Sequence, residues 1–433
     1  MVSYKKLNLT HMFFGWHVVG GAFTVAVFAW GIGFYGPPIF LETLHSARGW
    51  PVSLVSAAIT VHFLIGALIV ANLARLHSQF GMAAVTRGGA VLTALGLLGW
   101  AMARDPWQLF LAMPLSGAGW AMTSGAALNA MVSPWFVRRR PAALSMAFNG
   151  ASMGGVIFSP LWVALIAGLG FPGAACVVAA TVVLTLWLVA SRYLTRTPAD
   201  MRLLPDGDMG HVDAPATRKG YDGAARLGIP WRDRRFATLA ASASLGLFAQ
   251  IGLIAQLFSL LVPPLGEAGA GATMGLATAC AIGGRTALGM IIGPNADRRI
   301  VAAANVTLQA CGSVVLILAA GHSITLLLLG CLLFGLGLGN VTSLPPLIAQ
   351  TEFAPADVPR VVALVTAISQ ASFAFAPAAF GALRDLGQTI GLASHAGGAP
   401  LLFGAAAVIQ IAAAGAAMLG RRPAAPYSSS VVA

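Results

Sequence analysis

Apolar residues in this chain neither alternate nor recur as narrow stripes; they run on. Twelve windows follow one another: Phe13–Tyr35, Ser53–Leu73, Met82–Met102, Trp107–Met131, Leu144–Leu169, Ala174–Tyr193, Phe236–Val262, Gly269–Gly293, Ile300–Ala320, Ile324–Gln350, Val361–Leu383 and Leu401–Leu419. At ~20 residues each, they are long enough as helices to cross ~30 Å of hydrocarbon. Lipid favours the helix because it satisfies its own backbone N–H and C=O groups. The first window runs too long for a cleavable leader and has no small-residue cleavage site, so it is expected to be the first spanning helix. Between the sixth and seventh windows, the polar segment 195–235 carries Pro198, Pro205, Pro215 and Pro230, which is loop chemistry. The pattern predicts an all-α membrane protein with six spans in residues 1–194, a central loop at 195–235 and six spans in 236–433.

The two sets of spans echo each other. The first span ends "FYGPPIFLE" (34–42) and the seventh "SLLVPPLGE" (259–267). The fourth carries "GAGWAMTS" (117–124) and the tenth "GLGLGNVTS" (335–343); the second runs into "NLAR" (72–75) and the eighth into "NADR" (295–298). Three matches in one order, offset by roughly 218–226 residues, indicate an internal duplication and hence two pseudo-symmetric six-helix bundles.

Composition agrees: 58% of residues are hydrophobic and 9% charged, where a soluble domain is roughly a quarter charged. The net charge of +12 would suit a nucleic-acid partner, but its placement gives another cause. With the N-terminus inside, 21 of the 25 Lys and Arg residues fall in inside loops and tails or at the inside ends of spans (Arg87, Arg192), three (Arg48, Arg104, Arg384) fall outside, and the last is Arg285. That is the positive-inside asymmetry. It predicts a multi-pass protein with both termini cytoplasmic and no nucleic-acid partner, in contact with lipid headgroups through Arg138–Arg140. The Ala/Gly/Arg-rich, Lys-poor composition suggests a bacterial chain, hence the inner membrane. Cys176, Cys280, Cys311 and Cys331 all lie in apolar runs without metal-ligand spacing and are expected as buried free thiols. There is no HExxH, no GxSxG and no phosphate loop, so neither an enzyme nor a cofactor or metal site is expected.

The candidate chemistry is "GGRTALG" (283–289), an arginine inside a spanning window. Arginine at a bilayer centre costs at least ~2.5–3.5 kcal/mol, so Arg285 should face the bundle interior or a water-filled cavity. All thirteen acids fall in loops or at span ends, leaving it without a protein anion. Two readings stand: a guanidinium fork for a substrate carboxylate, or a structural arginine bonded to backbone carbonyls. His62, central in the second span, is read either as a proton carrier or as a histidine bonded between helices.

With these features the chain resembles the major facilitator superfamily. The carriers of the resemblance are the six-plus-six plan and "GPNADRR" (293–299), which keeps the family's Asp-Arg core as Asp297 and Arg298. In that family this motif is a conformational latch; the first-half copy, "NLARLHSQFG" (72–81), has Arg75 where the aspartate usually stands. "RGWPVS" (48–53), "WFVRRRPAALSMAFNGASMGG" (135–155) and "GGRTALG" are similar to the bacterial monocarboxylate and oxalate:formate branch. The resemblance implies alternating access and a substrate carboxylate on Arg285. It also implies a path lined by helices 1, 4, 7 and 10, through Trp30, Tyr35, Trp120, Thr123, Gln250, Gln256, Asn340 and Thr342, with Asn149 and Gln370 adding to it. Two departures count. Ala281 stands where some relatives have an acid, and the eleventh window, 361–383, has no second cation, which argues against a dicarboxylate. The expected function is secondary transport of a small organic anion, a lactate- or pyruvate-like monocarboxylate, with protons as a coupling candidate. Efflux of a drug or hydrophobic anion, or a transporter-like sensor, are the alternatives.

Overall fold

The computed structural model describes residues 13–207, 233–291, 296–319, 321–354, 357–390 and 400–421. Gly293, Pro294 and Asn295 of the latch motif and most of the central loop lie outside them. Within these residues the fold is all-helical. The helices are α1 (Phe14–Gly33), α2 (Gly36–Arg48), α3 (Val52–Phe80), α4 (Met82–Met102), α5 (Pro106–Thr123), α6 (Gly125–Val132) and α7 (Arg140–Tyr193). They continue as α8 (Arg234–Ile291), α9 (Arg298–Ala319), α10 (Ile324–Leu338), α11 (Leu344–Glu352), α12 (Val358–Phe373), α13 (Ala376–Thr389) and α14 (Pro400–Leu419). Two are far longer than a bilayer is thick, because each turns back on itself at one glycine. These are Gly170 (φ 69°, ψ 166°) in α7 and Gly266 (φ 68°, ψ 169°) in α8, a conformation open to glycine and strained for other residues.

Counting the arms of α7 and α8 separately, the helices make the expected twelve crossings in two bundles. Four crossings differ from the sequence expectation in being broken part-way. The chain leaves the helix at Phe34–Tyr35, at Ser124, at 339–343 and at 374–375. Prolines explain three of these, standing in the first turn of α2 (Pro37, Pro38), α11 (Pro345, Pro346) and α13 (Pro377). Proline has no N–H and its ring clashes with the preceding turn, so it starts a helix and does not sit in its middle. Broken backbone at membrane depth is tolerated where it lines a cavity. Large apolar side chains such as Leu111, Leu184, Leu318 and Val408 stand exposed on the outside of the bundle, where acyl chains would cover them. Cys176 and Cys311 are also exposed; Cys280 is half-buried and Cys331 buried, and all four are free. The expectation of uniform thiol burial is corrected: apolar surroundings in sequence include lipid-facing positions.

The two bundles meet at the face away from the chain ends, here the far face. There the Ser53 N–H donates to Asp385 Oδ2 (3.3 Å), Gln256 Nε2 to Ser56 Oγ (2.8 Å) and the Ala378 N–H to Thr60 Oγ1 (3.1 Å). Arg384 was expected in an outer loop. Instead α13 runs on to Thr389, and Arg384 Nη1 donates to Gln256 Oε1 (3.4 Å) and to Ser259 Oγ. The chain therefore embeds a second arginine, sealing the far face. Toward the face bearing the chain ends, no comparable contact joins α5 or α6 to α10, α11 or α12 among the described residues. The space between the bundles opens on that side.

That terminal face is braced within the second bundle. Arg299, 1% exposed, donates through Nε to Glu352 Oε1 (2.5 Å) and through Nη2 to Glu352 Oε2 (2.8 Å). It also donates to Thr238 Oγ1, the Ala417 carbonyl and the Arg235 carbonyl, tying α8, α9, α11 and α14 together. Asp297 accepts from the Arg299 and Ile300 N–H groups at the start of α9 and from Arg421 Nε (2.6 Å).

Candidate functional site

Arg285 lies on the second arm of α8, and its position depends on glycines. A Cβ at Gly335 would come within 2.5 Å of the Ala277 carbonyl, and one at Gly339 within 2.6 Å of the Ala281 carbonyl. The "GLGLG" run is thus a surface that lets α10 lie directly on α8. This closeness brings the Gly339 carbonyl, in the α10–α11 break, to Arg285 Nε at 3.1 Å. The end of α10 presents partial negative charge, which offsets part of the cost of the guanidinium. Across the inter-bundle space, Nη1 reaches Asn149 Oδ1 on α7 at 3.5 Å.

A guanidinium has five N–H donors. One is used well and one at the limit of hydrogen bonding, so three have no partner among the described residues. No carboxylate pairs with Arg285 among the described residues. Side chains on a helix lean toward its N-terminus, which here points the guanidinium at the far face. There Tyr35, 8% exposed, lies beside the Thr278 side chain and within the field of Arg285. Tyr35 and Thr278 converge over Gly155 of α7, where a Cβ would come within 2.7 Å of the Tyr35 ring. Arg285, Asn149, Tyr35 and Thr278 therefore form one polar cluster spanning both bundles.

The other candidates are placed differently. Trp120 fills a slot between α1 and α3: a Cβ at Gly33 would lie 2.7 Å from its ring and one at Gly66 3.1 Å. Its ring centroid is 5.0 Å from Trp30 and 6.3 Å from His62. His62 is fully buried and shares a 2.8 Å hydrogen bond with Ser116 Oγ through Nδ1. Asn340 is committed to the second bundle, donating to Asn305 Oδ1 (3.0 Å), and touches the cluster only through its neighbour Gly339. Gln250 is buried with Oε1 lacking a partner, Gln370 is half-buried, and Thr123 donates to the Gly119 carbonyl (2.8 Å). Thr342 lies exposed in the α10–α11 break. Gln256 belongs to the far-face seal. Of the latch pair, Asp297 holds Arg421, while Arg298 is half-buried beside it with no side-chain hydrogen bond among the described residues.

Thr278 lies seven residues before Arg285, so helical spacing alone already puts it on the same face; the residues missed from the sequence are Arg384 and Arg299. A wholly apolar groove of about 550 Å³ between α4 and 171–193, lined by Ala94, Leu98, Cys176, Val183 and Trp187, lies on the outside of the first bundle, away from this cluster.

Known proteins extend these observations. The bovine (Bos taurus) monocarboxylate transporter 13 is 31% identical over 183 residues, covering 42% of each chain. The fujikurins efflux protein of Gibberella fujikuroi is 28% identical over 165 residues, covering 38% of this chain and 34% of its own. The match thus spans less than half the length of either relative. Among solved structures, an inward-facing, occupied bacterial homologue of the human lysosomal transporter Spinster superposes with a TM-score of 0.67 at 13% identity, covering 95% of this chain and 97% of that one. The nucleoside transporter NupG gives 0.65 at 12% identity, covering 94% and 98%. At such identities these show the fold alone. The profile of the Major Facilitator Superfamily matches residues 18–377. With twelve crossings in two bundles and a cluster spanning both, the chain belongs to the Major Facilitator Superfamily.

Proposed function

We propose that this chain is a secondary transporter of organic anions that holds a monocarboxylate on Arg285. It would alternate between the two faces of a bacterial inner membrane, with both termini cytoplasmic. The observation that carries the reading is a membrane-embedded guanidinium between the bundles with, among the described residues, three unpaired N–H groups and no acid beside it. A carboxylate supplies both the charge and the paired acceptor geometry those donors lack. Monocarboxylate transporter relatives support the substrate class, and the 21-to-3 charge asymmetry supports the orientation. In this reading the terminal face is the cytoplasmic one, so the structure is open inward and the Arg384 seal closes the outer side. Rocking of the bundles about Arg285 would exchange the two openings.

We read His62 as a packing residue: it is fully buried, with Nδ1 bonded to Ser116 Oγ and Nε2 without a partner among the described residues. Export is the second reading, favoured by similarity to a fungal efflux protein. The test is uptake of radiolabelled monocarboxylates into proteoliposomes of known orientation, with and without a pH gradient. Arg285-dependent flux supports the proposal. Arg285-dependent binding without flux would make the protein a sensor.

A further inference from the structure

Resting on that reading, we propose that the same site contains an aromatic wall selecting acids with an aromatic ring over two- to four-carbon acids. Six rings meet in a continuous band: Phe148, Trp30, Trp120, Phe34, Phe63 and Phe373. Their successive centroid distances are 6.2, 5.0, 6.2, 6.3 and 5.8 Å. They come from α7, α1, α5, the α1–α2 break, α3 and α12, so the band crosses from the first bundle to the second, as the Arg285 cluster does. It starts beside that cluster: Phe148 precedes Asn149, and Phe34 precedes Tyr35, whose ring centroid is 5.0 Å away.

These rings pack against the core without being sealed by it. Except Phe63, each is partly exposed although it lies near the middle of a crossing. Trp162 shows what a packed indole does here: it is 0% exposed and donates Nε1–H to the Gly31 carbonyl at 3.1 Å. Trp30 and Trp120 have no hydrogen-bond partner for their indole N–H groups among the described residues, and neither nitrogen is buried. Indole N–H groups in dry packing usually find partners, that of the buried Trp100 excepted; those of Trp30 and Trp120 are instead left accessible. A short acid on Arg285 would leave the rings facing water. An aryl acid covers them, gaining apolar burial and edge or stacked ring contacts.

Pyruvate and phenylpyruvate share one headgroup and differ by a phenyl ring, so together they isolate the wall. The measurement is binding to the full chain in nanodiscs, read by quenching of tryptophan fluorescence and by thermal shift. Phenylpyruvate should bind at least about tenfold more tightly than pyruvate. Trp120→Ala should bring the phenylpyruvate-to-pyruvate affinity ratio below about threefold, and Trp120→Phe should retain it. Trp30→Leu is an independent probe should Trp120→Ala not fold. Arg285→Ala should abolish binding of both acids. If pyruvate binds as tightly as phenylpyruvate, still dependent on Arg285, the wall is overturned and the carboxylate site stands. If neither acid depends on Arg285, the carboxylate site itself is overturned and the wall with it.

Discussion

Replacing Arg285 probes the carboxylate reading most directly. Arg285→Lys keeps the charge but replaces a planar fork by a point donor, and also loses the Nε–H bond to the Gly339 carbonyl. Arg285→Ala removes both charge and fork. A hydrogen bond involving a charged group contributes ~1.5–3 kcal/mol, and truncating one partner of a desolvated charge pair costs ~2–5 kcal/mol. At ~1.4 kcal/mol per factor of ten, the alanine variant should lose on the order of 30- to 5,000-fold in substrate affinity. The lysine variant should lose about tenfold. Neither should unfold the chain, because α8 and α10 are held by glycine-mediated packing independent of this side chain. The assay is initial uptake rate against substrate concentration in proteoliposomes, normalised to incorporated protein, with melting temperature measured in parallel. Uptake by Arg285→Ala within about threefold of wild type, with an unchanged melting temperature, would refute the reasoning. So would a lysine variant weaker than the alanine one, because the residual charge would then be a liability.

Four further outcomes are expected. Removing one partner of the Arg299–Glu352 pair, as in Glu352→Gln, should destabilise the protein by about 3 kcal/mol; heating in detergent should show it, and a variant melting like wild type contradicts the bracing role. Arg384→Ala should loosen the far-face seal, so that a cysteine at Ser53, in a background lacking the exposed Cys176 and Cys311, is labelled faster from that face; an unchanged rate contradicts the seal. His62→Gln should leave the pH profile of uptake unshifted, whereas a lost proton dependence would restore His62 as a carrier. Burial raises the Asp297 carboxyl, but Arg421 and the Arg299 and Ile300 N–H groups outweigh that and hold it below the ordinary carboxylate range. Its stabilisation is therefore present above an unfolded value of ~4 and lost as pH falls through the lower folded value. Melting curves of wild type and Asp297→Asn should differ at neutral pH and merge in acid.

Runs of apolar residues made the twelve crossings legible, because crossing hydrocarbon demands length and little else. Arg285 was legible for the same reason: a charge inside such a run stands out. Arg384 was not, since it follows Leu383, where the apolar window stops but the helix does not. Hydropathy marks where lipid ends, and an arginine facing a partner bundle lies beyond what that measure sees. The helix breaks were written as prolines, but their depth, and hence the carbonyl they bring to Arg285, needed the packing of α10 on α8. The latch motif drew attention to Asp297 and Arg298; the helical rotation at the start of α9 gives the buried pairing to Arg299 instead.

That pairing bears on how the protein is made. Arg299 and Glu352 are 53 residues apart, and each alone is unwelcome at the edge of hydrocarbon. During synthesis α9 emerges with its arginine unmatched and has to keep that side chain at the headgroup layer. The wait lasts until α10 has crossed and α11 delivers the carboxylate. The Ala417 carbonyl that completes the shell arrives last, on α14. The second bundle is thus closed by its final crossing, so chains truncated before α14 should be held as incompletely assembled substrates for membrane quality control.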